Sequence, residues 1–249
     1  MKKLEPSMGT RPATGGKVLL VNPNTNQATT SLMAGIATEI LGPRGIEVVA
    51  LTAAAGPRMF LDPDALAESE QHVRDAVFGY LEGPDAPNVK AVVVAAIGDP
   101  GRRALDEALE IPVIGIGQAS IRSACGAGRR FGMATSTPLL AGSLTALVEE
   151  HGCGQWFTGV RLTGSAPLVL AADPEQQFLE LAAAVRESSR NDGAESVIIA
   201  GGPLSETARR LSRTGMARIV EPVPSACSAV LQELAPEPDL VHGHLSGEG

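Results

Sequence analysis

VVVAAIGDPGRRALDE, residues 92–107, and SVIIAGGPLSETARRLS, residues 196–212, read alike: an apolar strand, small residues, a proline, then an amphipathic helix carrying arginines. A second pair matches upstream. KVLLV (17–21) runs into NPNTNQ, and RFGMA (130–134) runs into TSTP, each followed by helix-period sequence. The matched segments lie roughly 105 to 113 positions apart, the spacing of a duplicated half-domain. Further apolar runs at 46–51, 112–116 and 218–220 alternate with helical segments whose apolar residues recur three and four apart, as in Leu32, Ile36 and Ile40. Alternation of this kind means βαβ units and parallel sheet.

The expected fold is therefore α/β: two pseudo-symmetric Rossmann-like parallel-sheet halves with the site in the cleft between them. Residues 17–120 form the first half, with a C-terminal helix at about 222–235 packing back on it, and residues 121–221 form the second. Residues 1–16 and 236–249 read as flexible ends; His242 and His244 fall in the latter. Ligands of open α/β sheets sit at the carboxyl ends of strands, so four strand-to-helix turns are expected around one cleft.

Each turn carries chemistry that suits an anion or a carbonyl. In NPNTNQATT, Asn22, Asn24 and Thr25 offer amides and a hydroxyl beside free N–H groups at a helix start. Thr135, Ser136 and Thr137 place three hydroxyls before Pro138. Asp99, ahead of Pro100, is either a cap accepting backbone hydrogen bonds or the carboxylate that moves a proton. Gly201 and Gly202 bring backbone N–H groups to the fourth turn. Gly115-Ile116-Gly117 starts like a dinucleotide fingerprint, but Ser120 replaces the third glycine and no acidic residue follows about 20 positions on, so nicotinamide cofactors are not expected.

Composition narrows the function further. A formal net charge of −8 opposes binding to a phosphate backbone, and seven aromatics in 249 residues leave no stacking platform for single strands, so no nucleic-acid partner is expected. No apolar run approaches the roughly 20 residues that span a bilayer, and the polar opening segment is no signal peptide; a cytoplasmic protein without a membrane partner is expected. Cys125, Cys153 and Cys227 are too scattered for a disulfide framework or a zinc site and read as small buried hydrophobes. His72 and His151 fall in a helix and at a helix end, as surface or capping residues.

VNPNTN (21–26), AGP (55–57), AVVVAAIGDPG (91–101), IPVIGIGQAS (111–120), GRRFGMATS (128–136) and DGAESVIIAGG (192–202) together resemble the aspartate/glutamate/hydantoin racemase superfamily, above all its hydantoin and allantoin racemase branch. The resemblance runs over roughly 17–235 and implies no metal, no organic cofactor, a small carboxylate- or amide-bearing substrate and a homo-oligomer. In that superfamily two cysteines move a proton on and off the carbon beside a carbonyl, one thiol on each face. Arylmalonate decarboxylases keep only the second. The two cysteine positions fall here on Ala96 and Gly201.

The resemblance thus implies an enzyme without catalytic thiols: an isomerase or lyase acting beside a carboxylate or amide carbonyl through oxyanion-type stabilisation. Asn22, Asn24 and Thr25 would hold one carboxylate or amide, and Thr135, Ser136 and Thr137 a second oxygen. The backbone at Gly201 and Gly202 would face the developing charge, Ala96 would line the site, and Asp99 or a water would handle the proton. Two other readings stay open: a small-molecule-binding protein without turnover, and a racemase using other bases.

Overall fold

The computed structural model describes residues 15–235. The readings made for residues 1–14 and 236–249, including His242 and His244, lie outside the described residues; Gly16 opens the first strand.

The first sheet contains β1 (Gly16–Asn22), β2 (Ile46–Thr52), β3 (Val89–Val94) and β4 (Val113–Gly115), in the order β2-β1-β3-β4. The second contains β5 (Phe131–Thr135), β6 (Phe157–Leu162), β7 (Ser196–Ile199) and β8 (Arg218–Val220), in the order β6-β5-β7-β8. All pairings are parallel, and the two orders superimpose element on element. The fold is two copies of one α/β plan. Central strands β1, β3, β5 and β7 are buried on both faces, which is why their sequences are continuous apolar runs.

Strand β6 is the one the apolar runs did not reveal. It is an edge strand of FTGVRL, half-exposed along its length and broken by Gly159 at φ 112°, so burial imposes no hydrophobic run on it.

Helices α1 (Gln27–Leu41), α2 (Pro63–Leu81) and α3 (Arg102–Ala108) belong to the first half. In the second lie α5 (Ala141–Glu150), α6 (Pro167–Ala172), α7 (Pro174–Arg190) and α8 (Ser205–Ser212). Asp62 and Asp173 cap α2 and α7 through side-chain oxygens, each followed by a proline at the first helical position. Two helices join the halves. α4 (Ile116–Cys125) puts Ile116 and Ala119 into the first core and Ile121 and Ala124 into the second. α9 (Pro222–Glu233) returns from β8 to the first sheet, packing Val223, Ala226, Cys227 and Val230 against Val18, Leu20 and Met33.

The cysteines correct one expectation. Cys125 and Cys153 are not separate buried residues but a disulfide, with Cα atoms 6.3 Å apart, joining the end of α4 to the turn after α5. Their separation of 28 positions says nothing of this; the packing of α4 against α5 creates it. Cys227 is a buried free thiol that burial pushes up to about 12. Among the described residues, no helix is long and apolar enough to cross a membrane.

Candidate active site

Parallel strands β1, β3, β5 and β7 end at the junction of the two halves, and the turns leaving them enclose a cavity of about 360 Å³. Asn22, Asn24, Ala96, Thr135, Ser136, Thr137, Gly201 and Gly202 all line it. A wider groove of about 790 Å³ lies between β4, β8, α4 and α9, but none of these turns reaches it.

Asn22 organises the first turn rather than facing a ligand freely. Its Nδ2 donates to Asn24 Oδ1 (2.9 Å), Thr30 Oγ1 (3.0 Å) and the Asn26 carbonyl (3.2 Å), while its Oδ1 accepts from Asn24 N (3.3 Å). Asn24 Oδ1 also accepts from Asn26 N at 2.9 Å. The Asn24 oxygen is thereby used twice, and its Nδ2 donates to no acceptor among the described residues. Thr25 turns away from the cavity: its hydroxyl donates to the Gly56 carbonyl (3.3 Å) and its amide to that of Pro57 (3.1 Å). It anchors the loop that brings Met59 and Phe60 to the cavity wall.

The second half mirrors this arrangement with hydroxyls. Thr135 Oγ1 donates its only proton to the Ala200 carbonyl at 2.7 Å. Thr137 Oγ1, 3.0 Å from Thr135 Oγ1, must therefore donate in that contact, leaving its lone pairs free. The Ser136 hydroxyl, on a residue 7% exposed, has no partner among the described residues.

Both halves bring backbone donors to the cavity lining. The N–H groups of Ala96, Ile97, Gly201 and Gly202 donate to no acceptor among the described residues. Ala96 packs with Phe60 and Leu140 into a small apolar wall flanked by Leu66. A methyl group at Gly201 would lie 3.2 Å from Leu204, whereas one at Gly202 would press on Met33 Sδ at 2.9 Å. The first-half wall thus combines apolar side chains with backbone N–H groups, and the second-half wall presents N–H groups on glycines.

Among the described residues, Glu206 and Arg210 are the ionisable ones on the lining. Glu206 is exposed, and Arg210 is committed to Glu175 by two hydrogen bonds (2.8 and 3.1 Å) while lying 4.3 Å over the Phe178 ring. That pairing holds the Glu175 carboxyl below the usual range. Gln177 and Thr207 add a buried polar pair, with Thr207 Oγ1 donating to Gln177 Oε1 at 2.5 Å. Met59, Phe60, Gln177 and Thr207 escaped the sequence reading: two lie in a loop without periodicity, and two look like ordinary polar helix residues.

Asp99 does not line this cavity. Its Oδ1 accepts from Gly117 N (2.8 Å) and its Oδ2 from Gln118 N (2.6 Å) at the start of α4. Burial pushes its carboxyl up to about 7, against the opposing pull of those two N–H groups and of Arg102. Gly115 and Gly117 thereby gain a reason: a methyl group on Gly115 would collide with the Asp99 carboxyl, and one on Gly117 with the Ile97 carbonyl. The Gly-x-Gly pattern is space for this contact. His72 and His151 do not line the cavity either; burial lowers the His151 pKa. No cysteine among the described residues lines it.

Comparison with known proteins agrees with this architecture. The family model described as Asp/Glu/Hydantoin racemase matches residues 18–230. A hydantoin racemase of Paenarthrobacter aurescens is 26% identical over 211 residues, covering 85% of this chain and 88% of the relative. The structure of allantoin racemase from Pseudomonas fluorescens aligns with a TM-score of 0.79 at 24% identity, over 91% of this chain and all (100%) of that one. Arylmalonate decarboxylase aligns with a TM-score of 0.59 at 16% identity, over 89% of this chain and 94% of that one.

Proposed function

The chain belongs to the Asp/Glu/hydantoin racemase family, and from that premise we propose that it is a cofactor-independent lyase that cleaves a carbon–carbon bond beside a carboxylate or amide carbonyl. The observation that carries this reading is the imbalance of the cavity. It is rich in hydrogen-bond donors from both halves, yet its ionisable side chains are an exposed glutamate and an arginine already paired.

Racemisation removes a proton from carbon and therefore needs a base on each face. The superfamily resemblance puts those bases at Ala96 and Gly201, which supply a methyl group and a hydrogen. Decarboxylation needs no base. The bond between the α-carbon and a carboxylate carbon breaks, carbon dioxide leaves, and the electron pair passes into the neighbouring carbonyl as an enolate. Preorganised N–H groups stabilise that enolate oxygen, and each such donor is typically worth about 10²- to 10³-fold in rate. A water then protonates the carbon.

The walls divide the labour. Gly201 N, Gly202 N and the Ser136 hydroxyl receive the oxygen that gains charge, and Asn24 Nδ2 holds the retained carboxylate or amide. The departing carboxylate sits against the Phe60 and Leu140 side chains, away from the N–H groups of the 96–98 turn, where its charge is poorly solvated until it is lost as neutral carbon dioxide.

The test is incubation with 2-phenylmalonate, followed by carbon dioxide release, alongside heavy-water exchange at C5 of 5-benzylhydantoin. Release above buffer without exchange supports a lyase. Exchange without release would make the protein a racemase with other bases. The lack of a buried base also suits a binding protein without turnover, and phenylmalonate binding with neither release nor exchange would establish that instead.

A further inference from the structure

Asp99 sits where the two halves meet, held by its backbone conformation, its two carboxylate hydrogen bonds and the packing of its turn. It occupies φ 49°, a left-handed conformation unusual for a residue with a side chain, so something outside the turn holds it there. Its two carboxylate oxygens each take one N–H at the start of α4, the helix that runs from the first core into the second. Two positions earlier, Ile97 leaves its own half and packs with Ile121, Leu144 and Leu147 in the second core. The turn at 96–99, closed by the Asp99 N–H donating to the Ala96 carbonyl at 2.9 Å, is thus fastened at Ile97 and at Asp99, and it carries the N–H groups of Ala96 and Ile97.

We propose that Asp99 is a positioning residue: its carboxylate, clasped on the N-terminus of α4, fixes the Ala96–Gly98 turn so that its N–H groups face the cavity as donors. The proposal rests on the cavity being the binding site, as inferred above. The clasp acts as a carboxylate because both oxygens are acceptors in it, and protonation removes one of those charge-assisted bonds. The charged groups facing it are Arg102 on α3 and Glu150 on α5, with Glu70 of α2 and Arg103 and Glu107 of α3 around the same surface hollow. Arg102 favours the ionised clasp and Glu150 opposes it. The donor geometry of the cavity is therefore coupled to a group that lies outside the cavity and touches no ligand.

The experiment is a pH titration of the full-length protein followed by backbone amide NMR, with malonate as the anion probe. The amides of Gly117 and Gln118 should move with one midpoint, and those of Ala96, Ile97 and Gly98 should share it. Malonate affinity should fall through that midpoint as the pH drops. In Asp99→Asn the midpoint should vanish from all five amides, and affinity should drop about tenfold, as for loss of one charge-assisted hydrogen bond. A residue that only supported the fold would leave the pH dependence of affinity unchanged. If the Gly117 and Gln118 amides titrate while those of 96–98 stay still, the proposal is overturned. A step in malonate affinity at the wild-type midpoint that persists in Asp99→Asn, beyond the one caused by malonate's own second ionisation, overturns it too. Should that variant not fold, the wild-type titration alone decides. Shared titration with no malonate binding would uphold the clasp and instead sink the functional reading.

Discussion

Met33 fills the space that a side chain at Gly202 would need: a methyl group built there lies 2.9 Å from Met33 Sδ, and Met33 is fully buried in the first core. A turn of the second half is thus pressed against the core of the first. Gly201, one residue earlier, is different, since its added methyl group meets only the Leu204 side chain at 3.2 Å. Gly202→Ala should destabilise the protein by about 1–3 kcal/mol through overpacking. Gly201→Ala should change stability by less than about 1 kcal/mol, because Leu204 has rotamer freedom to yield. Urea unfolding midpoints at constant slope measure both.

The two asparagines of the first turn should separate in the same way. Asn22 is a hub whose loss leaves Asn24 N without its acceptor in a buried place and takes one donor each from Asn24 Oδ1 and Thr30 Oγ1, so Asn22→Ala should destabilise by about 1–3 kcal/mol. Asn24→Asp keeps the oxygen that Asn22 and Asn26 use but exchanges the free Nδ2 donor for a negative oxygen. It should fold normally and bind malonate more weakly by at least about tenfold, since an anion then meets an acceptor instead of a donor. Calorimetry on the two variants shows whether stability and binding divide as expected.

What the sequence disclosed follows from where burial acts on it. Residues 18–21 and 92–94 announce themselves because strands covered on both faces must be apolar at every position. The edge strand β6 and the loop with Phe60 carry no such constraint and stayed hidden. The polar turns were legible as turns, and the cavity does gather Asn24, Ser136 and Gly201. Which of their atoms remain free was not legible, because Asn22 and Thr135 spend their polar atoms on partners that only the fold brings near. The same holds for Asp99, whose N–H donors lie 18 and 19 positions away, and for the Cys125–Cys153 pair.

Stability should depend on pH through Asp99 in a direction opposite to that of a salt-bridged carboxylate. Its folded pKa, about 7, lies above the ordinary value of 3.8, so the native state holds a proton that the unfolded chain has released between those limits. Stability therefore falls as pH rises from about 4 to about 7, by up to roughly 4 kcal/mol for a shift of this size. Asp99→Asn should flatten that slope. His151, whose pKa burial lowers, works the other way, losing stability as the medium falls below its unfolded value of 6.5. The difference between wild type and variant in denaturation midpoints across pH 4–8 isolates Asp99, because His151 is common to both. A wild-type slope that survives the substitution would mean that the carboxyl is not titrating in this window.

Restoring sulfur to the cavity tests where the two turns lie. Ala96 sits on the first-half wall beside Phe60 and Leu140, and Gly201 sits on the second-half wall with room for a side chain against Leu204. A thiol on Gly201 alone supplies a proton donor to one face, so Gly201→Cys should give decarboxylation of 2-methyl-2-phenylmalonate a stereochemical preference without hydantoin inversion. The double variant Ala96→Cys with Gly201→Cys places a thiol on each face and should gain inversion at C5 of 5-benzylhydantoin with deuterium uptake in heavy water, whereas inversion is absent from either single variant. Each general acid or base contributes typically about 10²- to 10⁴-fold, so a gain of that order above background is expected once both are present. Proton NMR of the C5 position follows the uptake directly, and optical rotation follows the inversion. The alkylation rate of the new thiols at neutral pH provides a separate check that they reach the cavity. Thiols that react readily while C5 stays protonated would mean that the turns face the cavity but do not oppose each other across a bound ring.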